Sequence, residues 1–102
     1  MPQVHEEAAT DFAEAAAYYE RRQVGLGDRF IREVTTSLHL VDQVPEAGSP
    51  SLVEGSPLGV RRMPVRSFPY HLVSLTEPVL VVVAVAHERQ RPDYWAERVR
   101  SG

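Results

Sequence analysis

Two residue types are missing altogether from this chain of 102 residues: cysteine and lysine. Without cysteine there is neither a disulfide framework nor a thiolate zinc site. Without lysine, all eleven cationic side chains are arginines, which hold their proton and bind anions rather than exchange protons with them. No apolar run approaches the roughly 18 residues that a membrane span needs. The N-terminus lacks the basic-then-apolar pattern of a signal peptide, so a cytoplasmic location is expected. A phosphate-cradling glycine loop, a nucleophile elbow and a paired-carboxylate arrangement are all absent. No metal site is expected, because the histidines have no carboxylate or thiolate spaced as a ligand set, and no cofactor is implied.

What is present suits a single globular domain spanning 1–102, with 43% apolar and 25% charged residues. The net charge of −3 conceals a split. Residues 1–46 carry nine acidic residues and four arginines, a balance of −5; residues 47–102 carry five and seven, a balance of +2. Between Leu58 and Thr76 there are three arginines, one histidine and no carboxylate. Such an uneven distribution fits a basic working face on an acidic body, and equally fits ordinary scatter in a short chain.

The first third predicts a helical hairpin. Residues from Glu6 to Arg22 are rich in alanine and free of glycine and proline, and Ala8, Phe12, Ala16 and Tyr19 form one apolar stripe. Gly25-Leu26-Gly27 breaks the helix, and Asp28 sits where an acidic side chain favours a helix start. Phe30, Val34, Leu38 and Val41, with Ile31 beside them, form the stripe of a second helix that stops before Pro45. A turn this short makes the two helices antiparallel. Glu46 to Pro57 reads as a loop. Strands are expected at Val60 to Met63, Tyr70 to Leu75 and Val79 to His87, with Glu77-Pro78 as the last turn and a short helix from Pro92 to about Arg100. Met1 to His5 is long enough for only a very short strand.

The run Val79 to Ala86 (VLVVVAVA) does not alternate with polar residues, so it must lie inside the sheet with both faces covered. The hairpin covers one face. The other needs the C-terminal helix, a second subunit or a dedicated partner, which predicts a protein that does not act alone. Past this strand come His87, Arg89, Arg91, Tyr94 and Trp95. Arg61, Arg62 and Arg66 cluster around the first two of these strands, and neighbouring Arg61 and Arg62 must point to opposite faces. Arginines interleaved with Tyr70, Tyr94 and Trp95 suit phosphate contact with base stacking, as single-stranded RNA requires; they also suit surface charge with stems that cover apolar area. A neutral His87 could serve as general base on a ribose hydroxyl, or simply hydrogen-bond a turn. Phe68-Pro69-Tyr70, Tyr94-Trp95, Tyr18 and Tyr19 read first as packing residues, with one of the two helix tyrosines inward and one at the margin.

Tyr18-Tyr19-Glu20, Gly25-Leu26-Gly27-Asp28-Arg29-Phe30, Pro45, Gly59-Val60-Arg61-Arg62, Phe68-Pro69-Tyr70 and the His87 to Trp95 block occur in one order, and together they resemble the RelE/ParE superfamily of toxins from type II toxin–antitoxin pairs, often labelled plasmid stabilisation proteins. The likeness covers about residues 6 to 98. It implies a compact bacterial α+β fold, with a helical hairpin on a small antiparallel sheet and a short C-terminal helix. It also implies a cognate antitoxin as partner. The family's first strand is short or missing here, which would leave an open sheet edge for a partner or a homodimer to close.

The resemblance implies two targets and leaves a third outcome. ParE-like members poison DNA gyrase and have no self-contained catalytic set. RelE-like members cut mRNA on the ribosome, and only then is the chain an enzyme; Arg61, His87, Arg89 and Tyr94 would form the site, with His87 as base. Arg62, Arg66, Tyr70, Arg91 and Trp95 would contact the target in either case. An inactive member that only binds its partner is the third reading. The lack of lysine, common in the RelE-like site, tilts the expectation towards gyrase.

Overall fold

Alanine-rich sequence with an N-cap side chain explains where the first helix begins. The computed structural model describes residues 2–50, 59–76 and 79–90, together with 95, 96 and 98. Helix α1 runs Glu6–Arg22, and the Nδ1 of His5 accepts the Glu7 N–H at its start. Glu6 and Glu7 lie in its first turn and Arg21 and Arg22 in its last, each sign at the end of the helix dipole that it favours. Helix α2 runs Leu26–Gln43. The turn between them depends on Glu20, whose carboxylate accepts the N–H groups of Gly25 and Gly27 at 3.0 Å each. Gly25 has φ 89°, which only glycine adopts at little cost. At Gly27 the helices touch: a Cβ there would meet the Ala16 carbonyl oxygen at 2.7 Å.

Phe30, Val34, Leu38 and Val41 are all buried, as the α2 stripe requires. Ile31 is 40% exposed; one residue past Phe30 it has rotated about 100° off the stripe. The α1 stripe gains Ala15, and Tyr19 points inward while Tyr18 stays at the margin.

Strands β1 (Gln3–Val4), β2 (Ser49–Pro50), β3 (Val60–Pro64), β4 (Tyr70–Leu75) and β5 (Val81–His87) form one sheet in the order β1-β5-β4-β3-β2. The α+β architecture matches the expectation, but the sheet is mixed rather than purely antiparallel, because β1 pairs parallel with β5. The predicted loop after α2 also contains a two-residue strand, β2, at the opposite edge. The turn expected at Glu77-Pro78 lies outside the described residues. So does most of the C-terminal helix, of which Trp95, Ala96 and Arg98 are described and helical.

Val82 to Ala86 is buried throughout. A bulge sets how its side chains divide. Val73 pairs with Ala84 and Ser74 with Val82, which leaves Val83 as the extra residue. Val82 and Val85 therefore pack with the helices, while Val83, Ala84 and Ala86 pack on the other face with Val60, Val73 and Leu75. Trp95, 2% exposed, sits in that second cluster. Of the three covers considered for this face, the chain's own C-terminal segment is the one observed, so burial of β5 does not by itself require a partner.

The bulge also reverses which backbone groups of β5 face outward past the end of β1. Side chains meet them. Asp11 of α1 accepts the Val85 N–H at 3.2 Å, Arg98 donates to the Val83 carbonyl at 3.0 Å, and Gln90 Oε1 accepts the His87 N–H at 2.8 Å. Arg98 and Asp11 are themselves paired at 2.7 Å with both side chains 9% exposed, and Glu7 lies 2.8 Å from the Arg98 Nε. This is how the curtailed first strand is compensated.

Candidate functional site

The residues singled out by sequence do not all converge. Arg61 lies opposite Ser74, and His87 lies opposite Tyr70. Their Cα positions are thus separated by about 13 Å along the strands and about 10 Å across them. As the alternation rule requires, Arg61 shares a face with Met63 while Arg62 shares the other with Val60. Arg61 is half-buried and donates to the Gly48 carbonyl at 3.1 Å, pinning the segment before β2; its buried Nε has no hydrogen-bond partner among the described residues. Arg62, Arg66 and Arg89 are exposed. Arg91 and Tyr94 lie outside the described residues. Trp95 takes the packing role rather than a contact role, since its ring is enclosed by the second core cluster.

His87 closes the turn that follows β5. Its Nδ1 accepts the Arg89 N–H at 3.0 Å, and its carbonyl accepts the Gln90 N–H at 3.0 Å. An accepting Nδ1 places the proton of the neutral imidazole on Nε2, so the nitrogen left for a ligand is a donor. That is the turn-bonding role, and it leaves His87 without a free lone pair to act as base.

Two hollows flank this region on opposite faces of the sheet. The first, of about 480 Å³, is lined by Tyr18, Tyr19, Arg22 and Leu26 from the hairpin and by Pro69, Tyr70 and His87 from the end of the sheet. Its floor is an aromatic cluster in which Tyr19, Phe30, Phe68 and Tyr70 meet edge-on or tilted, with centroids 4.9 to 6.1 Å apart. His87 joins it edge-on to Tyr70 at 5.1 Å. Arg22 lies 5.6 Å over the Tyr18 ring. Burial, with Tyr18 beside it, raises the pKa of Tyr19, which keeps its hydroxyl protonated. The hollow therefore offers rings, a guanidinium and hydrogen-bond donors, and among the described residues no carboxylate lines it.

The second hollow, of about 230 Å³, is lined by residues that include Arg62, His71 and Glu88. His71 is 7% exposed, and its Nδ1 has no hydrogen-bond partner among the described residues. Burial first, then Arg62 and His87, lower its pKa to about 4, so it is neutral at pH 7 and a weak base.

From sequence, Tyr18 reads only as a packing residue and Arg22 only as the end of the first helix. Their i, i+4 spacing, which places them side by side on α1, was the available signal. His71 was ranked below His87, because burial by Pro64 and Ala86 across the sheet is not visible in its neighbours along the chain.

The helical hairpin, the short sheet and the order of turns agree with one comparison. The family model described as ParE toxin of type II toxin-antitoxin system, parDE, matches residues 3–92. The chain belongs to this family. As a ParE-family toxin it is one half of a toxin–antitoxin pair, and an antitoxin is its implied partner. Against curated proteins the comparison finds no match. Among the described residues of this ParE-family chain, no helix is long and apolar enough to cross a membrane.

Proposed function

We propose that this toxin inhibits growth by trapping DNA gyrase through a protein–protein surface, in the cytoplasm of a bacterium, and that an antitoxin encoded beside it neutralises it by tight binding. The observation that carries the choice of mechanism is the state of His87. The ribonuclease set inferred from sequence needs a base there, and Nδ1 is engaged by the Arg89 N–H. Arg61, meant to stabilise phosphate charge in that set, is turned to Gly48 at the far end of the sheet. A binding toxin needs neither group to exchange a proton.

The test is a supercoiling assay beside a ribosome-programmed mRNA cleavage assay. Purified toxin is expected to stop supercoiling and leave mRNA intact, with His87→Ala retaining most of the inhibition. Cleavage of mRNA that disappears in His87→Ala would overturn the proposal. Co-expression of the neighbouring short reading frame should restore growth.

A second reading retains one observation. Arg62, His71 and Glu88 place a guanidinium, a neutral imidazole and a carboxylate around one hollow on the face away from the hairpin. Ribosome-dependent cleavage from that site would be lost in Arg62→Ala and unaffected by His87→Ala. Activity in neither assay from a folded protein would mark an inactive, partner-binding member.

A further inference from the structure

We infer that the hollow at Tyr18, Arg22 and His87 is one end of a longer groove, which seats a segment of a partner protein carrying an acidic side chain for that end and a basic one for the other. This rests on the proposed function only in taking the partner to be a protein.

A third hollow, of about 210 Å³, reaches from Asp11 and Glu14 to Val85 and Gln90, and it shares Tyr18 and Tyr70 with the first. Asp11, Glu14, Tyr18 and Arg22 stand at helical spacings on α1, a stripe about 16 Å long at a rise of about 1.5 Å per residue. That length takes about three turns of a partner helix or about five residues of extended chain.

The ends differ in charge. Arg22 and the donor nitrogen of His87 stand at one, with no carboxylate among the described residues of its lining. Glu14 stands at the other, beside Asp11, whose charge Arg98 already shares. Between them Tyr18, 46% exposed, and the half-buried Tyr70 offer rings to an apolar or aromatic side chain. A nucleic acid strand carries one sign of charge along its whole length, so the Glu14 end repels what the Arg22 end attracts. A polypeptide can present both signs.

The test is an NMR titration of the ¹⁵N-labelled toxin with short helical peptides. One peptide carries a phenylalanine flanked by a glutamate on one side and an arginine on the other; two controls carry glutamates on both sides or arginines on both sides. Hexauridylate is the fourth probe. The bipolar peptide should shift the amides of Tyr18, Arg22 and His87 and bind about fivefold more tightly than either control. Arg22→Glu, at an exposed position, should weaken the bipolar peptide and strengthen the peptide with two arginines. Equal binding of all three peptides, no shift at these amides with any of them, or hexauridylate shifting the same amides would overturn the inference. The titration contains no gyrase, so it can fail while the gyrase proposal stands, and the supercoiling assay can fail while the groove stands.

Discussion

His71 and His87 stand on the adjacent strands β4 and β5, and they play different parts. His71 is held neutral by burial, by Arg62 and by His87. A pKa lowered from 6.5 to about 4 means that the unfolded chain binds the extra proton first as pH falls. The contribution to stability is complete above about pH 6.5 and is lost progressively down to about pH 4, worth up to about 3 kcal/mol. Urea midpoints measured between pH 7 and pH 4 should drop steeply in the native protein, and His71→Gln should flatten that slope. If the variant follows the native curve, other groups govern acid unfolding. His87 acts locally: His87→Ala removes the acceptor for the Arg89 N–H and should cost about 1 kcal/mol in denaturant melts. The turn-bonding role of His87 was legible from its place at a strand end, whereas the role of His71 was not, because it depends on what lies across the sheet rather than on adjacent residues.

The helical hairpin was legible at the scale of elements. Alanine content, the apolar stripe and the Gly25-Leu26-Gly27 break located α1 from Glu6 to Arg22, as observed. The three long strands were legible too, since an unalternating apolar run has only one stable place, inside the sheet. Three features were not. A two-residue strand such as β1 or β2 has too few side chains to show a period. The parallel pairing of β1 with β5 depends on which way the chain enters the sheet. The bulge at Val83 leaves no mark in a run of valines and alanines, where a shift of one residue exchanges one apolar side chain for another. Gly27 tests the hairpin directly. Gly27→Ala puts a Cβ 2.7 Å from the Ala16 carbonyl oxygen and 2.9 Å from Glu20, so the helices must separate, at about 1–3 kcal/mol. Thermal melts should show that loss, and a variant as stable as the native chain would mean that the hairpin is looser than the contact implies.

At the scale of the whole molecule, the second face of the sheet and the free edge of β5 are closed by one short segment. Trp95→Ala should cost about 3–5 kcal/mol, as for a large ring removed from a packed cluster. Arg98→Ala leaves Asp11 buried without its counter-charge and frees the Val83 carbonyl; a loss of about 3–5 kcal/mol is expected for a broken buried pair. Sedimentation at rising concentration should also show self-association of Arg98→Ala through the uncovered edge, whereas a variant that stays monomeric would mean that the edge is guarded by other groups. Sequence could not reveal this pair, because Asp11 and Arg98 stand 87 positions apart and neither has a distinctive neighbourhood. Their separation gives the joint a further property. Translation supplies Asp11 well before Arg98, 87 positions later, so the pair can fasten only once residue 98 has left the ribosome. Until then the growing chain carries the Val83 carbonyl without its Arg98 donor, and the outer edge of β5 is open to other strands.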